Sequence, residues 1–347
     1  MKKLNQSYDV VICSHNDPYC NFGGVEVYNK RLVELFLKNN LKVLYFVIVP
    51  AISQENKQKS LCDITYDWNF AFLMAKKAKL CIYSGSLNNK TFIKMFSGLK
   101  NSVNIQHSDA SYYNRRNEKW KLNLSKTIVC YTNNDNTFIS NVIKKKKLHG
   151  FNIVPIIIPL DLKPLPKKQN KICKLIYFGR IVKGKGIYFL LKMLSHLNYD
   201  IHFYGFIPNY FKFPKKYEKY KSLFFGKYNN KDLPNIIKQY NYTITATNAE
   251  GFCIALAESM ACSTPIILKN TFQNADFLID KGKNGFFYDK KASPKKAAKQ
   301  INAYIENNDW QKTSKNCYEF AKKWFPKENW EKKWMDLYKS FSNSKQK

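Results

Sequence analysis

The sequence predicts an α/β fold built from two domains of similar size. Three observations carry that expectation. The chain has 347 residues, which exceeds the roughly 100–200 residues of one typical domain. Short apolar runs alternate with amphipathic stretches, the pattern of βαβ units on a parallel sheet. The alternation stops once, at a polar, proline-rich stretch, and then restarts.

Asp9–Cys13 reads as the first strand. Val25–Lys38 reads as a helix, because Val27, Leu32, Leu35 and Phe36 recur near a helical period. Lys42–Val49 is β-branched and aromatic and is ended by Pro50. Leu80–Tyr83, Ser102–Gln106 and Thr127–Tyr131 are further strands. Ile153–Leu160 carries Pro155 and Pro159 and reads as a break. Lys163–Asn170 then reads as the linker. In the second half, Lys174–Phe178, Ile201–Tyr204, Leu223–Phe225, Tyr242–Ala246 and Ile266–Leu268 are strands. Ile187–Leu197 and Leu233–Gln239 are helices. Trp324–Phe341 reads as one aromatic-rich helix. The expected domains are 1–162 and 163–330, with 331–347 as a terminal helix and the ligand cleft between the domains.

The charge is unusual: 58 Lys+Arg against 25 Asp+Glu, formally +33. It invites anionic partners such as nucleic acid, a membrane surface or phosphorylated small molecules. Only Arg31, Arg115, Arg116 and Arg180 are arginines, which weakens a nucleic-acid reading, because base readout and bidentate phosphate contacts favour arginine. Residues 1–162 carry 23 basic and 11 acidic side chains, and residues 163–347 carry 35 and 14. The surplus is therefore spread over both halves, and a compositional habit of the source genome is the competing explanation for it.

The first residues break up any export signal, and no stretch approaches the ~18–20 apolar residues of a membrane-spanning helix. A cytoplasmic protein is expected, with room for peripheral contact at the inner face of the membrane. The nine cysteines are scattered without a CxxC pair, as reduced thiols are. The histidines have no metal-ligand spacing, and no D-x-D pair would seat a cation on a diphosphate. No metal and no cofactor are expected.

Three motifs carry chemistry. Glu250-Gly251-Phe252-Cys253-Ile254-Ala255-Leu256-Ala257-Glu258 follows a strand and opens a helix. Its two carboxylates, eight residues apart, would span about 12 Å along a helix axis and could hold both ends of a nucleotide-sugar, with the helix N-terminus toward the phosphates. A buried helix with one acid at its start and one paired glutamate fits the same spacing. Gly179-Arg180-Ile181-Val182-Lys183-Gly184-Lys185-Gly186 follows the Lys174–Phe178 strand and places two cations in a glycine loop, matching a diphosphate. A solvated turn would look alike. Phe22-Gly23-Gly24-Val25-Glu26 is a glycine turn at a helix start. It is not G-x-G-x-x-G, so a dinucleotide fingerprint is not supported.

In their order and spacing, these motifs resemble the GT-B glycosyltransferases of family 4, a retaining group that includes many bacterial lipopolysaccharide and capsule enzymes. The shared stretches are EGFCIALAESMACSTPII, GRIVKGKG and GGVEVY. The likeness extends to Phe224-Phe225-Gly226-Lys227, to Asn284-Gly285-Phe286 and to the aromatic C-terminal segment. It implies two Rossmann-like domains facing across a cleft, with the terminal helix returning to the first domain. It also implies metal-independent transfer, with retention, from a nucleoside-diphosphate sugar (a UDP-sugar favoured) to a saccharide or lipid-linked acceptor. Glu250 would contact donor-sugar hydroxyls and Glu258 the ribose. Arg180 and Lys185 would neutralise the diphosphate. Gly23 and Gly24 would admit phosphates and acceptor, and His107 would lie near the donor sugar. Asn248, Phe252, Cys253 and Ile254 would line the donor pocket, and Lys227 and Tyr228 would meet the base. Two family glycines are replaced here, by Cys253 and Ser263, and Ala246-Thr247 stands in place of Pro-Ser.

Two first-domain stretches could touch lipid. Lys90–Lys100 places Phe92, Met95, Phe96 and Leu99 on one helical stripe between lysines, which equally suits a core-facing helix. Tyr112–Leu124 mixes aromatics with Arg115, Arg116, Lys119 and Lys121. The run Lys144–Lys147 is a third, weaker candidate. Competing readings are a phosphorylase or nucleotide-sugar epimerase on a related scaffold, and a basic nucleic-acid-binding protein.

Overall fold

The computed structural model describes residues 6–19, 23–49, 60–85, 87–110, 120–160 and 173–343. The linker Lys163–Asn170 and most of the basic stretch Tyr112–Leu124 lie outside these residues. The chain divides into two compact units, Met1–Ile158 with Glu328–Lys347, and Pro159–Lys327.

Among the described residues the first unit holds a parallel sheet of seven strands: β1 (Val10–Ser14), β2 (Val43–Val47), β3 (Asp63–Thr65), β4 (Leu80–Ser84), β5 (Ser102–Ile105), β6 (Thr127–Cys130) and β7 (Asn152–Pro155). Their order is β3-β2-β1-β4-β5-β6-β7. β1, β2 and β4 are buried throughout, as strands covered on both faces must be, and this explains their unbroken apolar runs. The stretch that reads as a proline break contains β7 instead. It lies at the sheet edge, where Pro155 has no outer ladder to interrupt. The short edge strand β3 and the helix Trp68–Lys77 have no counterpart in the sequence reading.

The second unit holds β8 (Leu175–Phe178), β9 (Ile201–Tyr204), β10 (Phe224–Gly226), β11 (Tyr242–Ile244), β12 (Ile266–Lys269) and β13 (Gly285–Tyr288). They form a parallel sheet in the order β10-β9-β8-β11-β12-β13. Its core gathers Leu175, Ile187, Leu190, Leu191, Phe203, Ile244 and Ile301 from strands and flanking helices. Two Rossmann-like parallel α/β units are thus present.

Two expectations change. Trp324–Phe341 is not one helix: helices Trp310–Trp324 and Lys327–Asn343 meet at Phe325–Pro326. Pro326 cannot supply the N–H that would continue the ladder, and the Phe325 carbonyl accepts from Leu160 N instead. The stripe in Lys90–Lys100 does not face outward. Phe92 and Phe96 are fully buried and stack on each other at 4.5 Å, with Ile93, Met95 and Leu99 packed on the same core. Lys144 and Lys145 end the helix Asn133–Lys145 on its exposed side.

The helix Lys327–Asn343 belongs to the first unit, where two indoles anchor it. Trp330 Nε1 and Trp334 Nε1 both donate to the Tyr28 hydroxyl oxygen, at 3.1 and 3.0 Å. Tyr28 is buried.

Candidate functional site

In an open parallel sheet, ligands gather at the carboxyl ends of the strands that flank the point where strand order reverses. In the second unit that point lies between β8 and β11. The Arg180 loop leaves β8 there, and the Glu250 loop leaves β11.

After β8 the chain runs through Gly179 and Arg180 into a 3-10 turn, Lys183–Lys185, and then the helix Ile187–Leu194. The Tyr177 hydroxyl holds the Arg180 carbonyl at 2.9 Å, while the Arg180 side chain is exposed. Gly186 joins turn to helix with φ +75°, and a Cβ there would lie 2.1 Å from the Ala246 carbonyl oxygen. Only glycine meets both demands. The close approach brings the end of β8 against the end of β11, and Lys185 pairs with Glu250.

The Glu250 loop is pinned from below. Thr271 Oγ1 donates to Thr247 O at 2.7 Å, Thr247 Oγ1 to Ala249 O at 3.2 Å, and buried Asn274 Nδ2 to Gly251 O at 2.6 Å. Phe252 is buried, edge-on to Phe325 at 5.9 Å. Asn248 stays exposed. The helix that follows spans Ile254–Ala261. Glu250 therefore lies before the helix and only Glu258 lies on it, so the two carboxylates are not spaced along one axis. The helix thus starts four residues after Glu250, and the threonine and asparagine bonds hold the loop ahead of it.

Cys253 precedes this helix with φ +64°, and Ser263 follows it with φ +56°. Both positions where the resemblance implies a glycine thus have left-handed backbone. Burial pushes the Cys253 thiol well up, and the Glu250 charge adds to this against an opposing effect of Lys185. A thiol held protonated is a poor nucleophile.

Glu258 is partly exposed. The Tyr228 phenol is pushed up by burial and by the Glu258 charge, and its ring meets Phe178 edge-on at 6.4 Å. Lys227 Nζ lies over the Phe206 ring, 4.8 Å from its centre. Arg180, Lys185, Glu250, Cys253, Glu258 and Tyr228 are thus gathered at one end of the second sheet.

Gly23, Gly24 and His107 belong to the first unit. Gly23 is extended at φ 176°, which any residue adopts. Its constraint is contact, because a Cβ would lie 3.1 Å from Glu26 Oε2. Glu26 is buried and accepts from Asn16 Nδ2 at 2.9 Å. A carboxylate beside this helix start disfavours a phosphate there and favours a hydroxyl.

His107 follows β5 and joins a polar chain at the β1/β4 reversal point. Ser84 Oγ donates to Asn29 Oδ1 at 2.5 Å, so its oxygen accepts from His107 Nε2–H at 2.7 Å. His107 Nδ1 shares a hydrogen bond with the Tyr131 hydroxyl at 2.5 Å. Asn29 Nδ2 continues to Ser14 Oγ and the Tyr45 hydroxyl, at 3.1 and 2.8 Å. Both ring nitrogens of His107 thus have a hydroxyl partner. Asn29, Ser84 and Tyr131 are absent from the sequence-derived site. A signal existed for Asn29, an amide on the stripe of Leu32, Val33 and Phe36. Asn274 and Thr271 carried none.

Among the described residues no group of His, Cys, Asp and Glu could hold a metal ion, and no helix is long and apolar enough to cross a membrane.

Residues 162–324 match the family model described as "Glycosyl transferases group 1". "Uncharacterized glycosyltransferase MJ1178" of Methanocaldococcus jannaschii is 25% identical over 170 residues, 48% of this chain. The match spans 47% of that protein, about half its length. "Uncharacterized glycosyltransferase MJ1069" of the same organism is 27% identical over 291 residues, 78% of this chain and 70% of that protein. The solved structure of Anabaena Alr3699/HepE in complex with UDP and glucose superposes with a TM-score of 0.71 at 14% identity, covering 96% of this chain and 100% of that one. Residues 162–324, a little under half of the chain, are therefore similar to the group 1 glycosyl transferases, and the two Rossmann-like units are those of the GT-B fold.

Proposed function

We propose that the protein is a retaining glycosyltransferase that moves a sugar from a UDP-sugar to a hydroxyl of a saccharide or lipid-linked acceptor, in lipopolysaccharide, O-antigen or capsule assembly at the cytoplasmic side. The observation that carries this is the convergence of Arg180, Lys185, Glu250 and Glu258 at the strand-order reversal of the second sheet. The HepE structure, which holds UDP and glucose, supports the choice of nucleotide.

In this reading Arg180 and Lys185 take the diphosphate charge, including the charge that builds as it departs. No metal is required for that role. Glu250 accepts from donor-sugar hydroxyls while Lys185 holds it in place. Glu258 accepts from the ribose, and Lys227 and Tyr228 meet the base. Asn248, Phe252, Cys253 and Ile254 line the donor pocket, with N–H groups of the helix start toward phosphate. Gly23 and Gly24 admit the acceptor, whose hydroxyl suits the Glu26 carboxylate. His107 contacts the donor sugar, exchanging Ser84 or Tyr131 for a sugar hydroxyl. The bond from the anomeric carbon to phosphate oxygen breaks as the acceptor oxygen bonds to that carbon on the same face. The acceptor proton passes to the departing phosphate.

The test is turnover with UDP-sugars and acceptors in the presence of EDTA, with the product anomer read by NMR. Released UDP, a retained anomer and loss of turnover in Arg180→Ala and Glu258→Ala are expected. Full activity in both variants, a free sugar phosphate as product, or an inverted anomer would overturn the reading.

A further inference from the structure

The first-unit stripe that suggests lipid contact from sequence is buried, yet an exposed surface of that character exists elsewhere. It is the crossover from β9 to β10 in the second unit. Phe206, Ile207 and Tyr210 are exposed there, Tyr210 to 76%. Residues 205–231 carry seven lysines against one acid, Glu218, and Glu218 is paired with Lys221 at 3.2 Å.

The segment is fastened from within. Phe211 stacks on Tyr188 at 5.3 Å, Phe213 meets Phe224 edge-on at 5.1 Å, and the Tyr188 hydroxyl holds the Lys212 carbonyl at 2.8 Å. With these aromatics facing inward, the outward position of Ile207 and Tyr210 is a property of the fold and not a shortage of core. Along the 3-10 stretch Lys215–Leu223, Lys216 and Lys219 lie over the rings of Tyr217 and Tyr220, 5.1 and 5.0 Å from their centres. Ammonium groups on long apolar stems beside tyrosine rings suit the boundary between water and acyl chains. Lysine clusters are drawn to anionic lipid.

We propose that the Phe206–Lys221 surface docks on an anionic phospholipid bilayer, with Ile207 and Tyr210 entering the headgroup boundary and Lys215, Lys216 and Lys219 meeting lipid phosphates. Lysines without arginine, beside exposed aliphatic and aromatic groups, favour lipid over nucleic acid. The docking does not depend on sugar transfer.

The full chain is sedimented with vesicles of phosphatidylcholine alone or mixed with phosphatidylglycerol, at low and high salt. Binding to the mixed vesicles, weakened by salt, is expected. Ile207→Ser with Tyr210→Ser, and separately Lys215→Glu with Lys216→Glu and Lys219→Glu, should each lower it, the lysine set on the order of a hundredfold. Both sets are exposed, so melting temperatures should match the parent. Lys144→Glu with Lys145→Glu should leave binding in place. Equal binding by all variants, equal binding to neutral vesicles, or polyuridylate held more tightly than vesicles through the same lysines would each overturn the proposal.

Discussion

Lys185 and Glu250, 65 residues apart in sequence, form an ion pair with side chains only 24% and 15% exposed. Each is held by the other at the place where β8 and β11 diverge. Truncating one leaves a largely buried charge without its partner. Lys185→Ala and Glu250→Ala should each lower kcat/KM by about 10²–10³-fold. The double variant should be no worse than the poorer single one, because residues acting as a unit are not additive. Steady-state kinetics of the four proteins checks this. Multiplicative losses would show that the two act independently.

Gly186 is the hinge of the same arrangement. Gly186→Ala puts a methyl group 2.1 Å from the Ala246 carbonyl oxygen at φ +75°. The expected cost is at least about 2 kcal/mol, seen as a lower denaturation midpoint, with donor binding weakened as the two loops separate.

Ser263 has left-handed backbone at φ +56°, and no side-chain hydrogen bond of Ser263 compensates among the described residues. Ser263→Gly should therefore gain about 1 kcal/mol, or roughly 2–4 °C in melting temperature. Cys253→Gly relieves similar strain at φ +64° but also opens the proposed donor pocket. Its signature should be an altered preference among UDP-sugars.

The Tyr28 oxygen accepts two indole N–H groups, from Trp330 and Trp334. Tyr28→Phe removes one atom and strands two buried donors, at about 1–3 kcal/mol each. Chemical denaturation should show the first unit losing several kcal/mol, and hydrogen exchange should rise along Lys327–Asn343.

His202 donates to or accepts from the Tyr240 hydroxyl at 2.9 Å, and burial, with help from Lys174, lowers its pKa below the ordinary histidine value. The unfolded chain then binds a proton that the folded one refuses. The stability this site contributes is fully present above the ordinary histidine pKa and declines as pH falls toward the lowered one. Melting temperature should drop on mild acidification, and His202→Gln should flatten that part of the curve.

Much of this was legible from sequence. Fully buried parallel strands such as β1, β4 and β8 announce themselves as unbroken apolar runs, because both faces are covered. The Arg180 loop and the Glu250–Glu258 stretch were legible because glycines, cations and carboxylates seldom cluster without a use for charge. Edge features were not. β7 hides behind its proline, and β3 is short and half-exposed.

By itself, the sequence determined the class of fold with its two Rossmann-like units and nominated the charged residues of the candidate site, since periodicity and residue chemistry are local properties. Only the tertiary structure decided what each of them touches. The strand order brings the Arg180 and Glu250 loops together, the bare Cα of Gly186 sets their separation, and Asn274 and Thr271 hold Glu250 ahead of its helix. The same packing buried Phe92 and Phe96 and left Ile207 and Tyr210 in water. Which apolar side chain is covered depends on partners distant in sequence, and no local pattern encodes them.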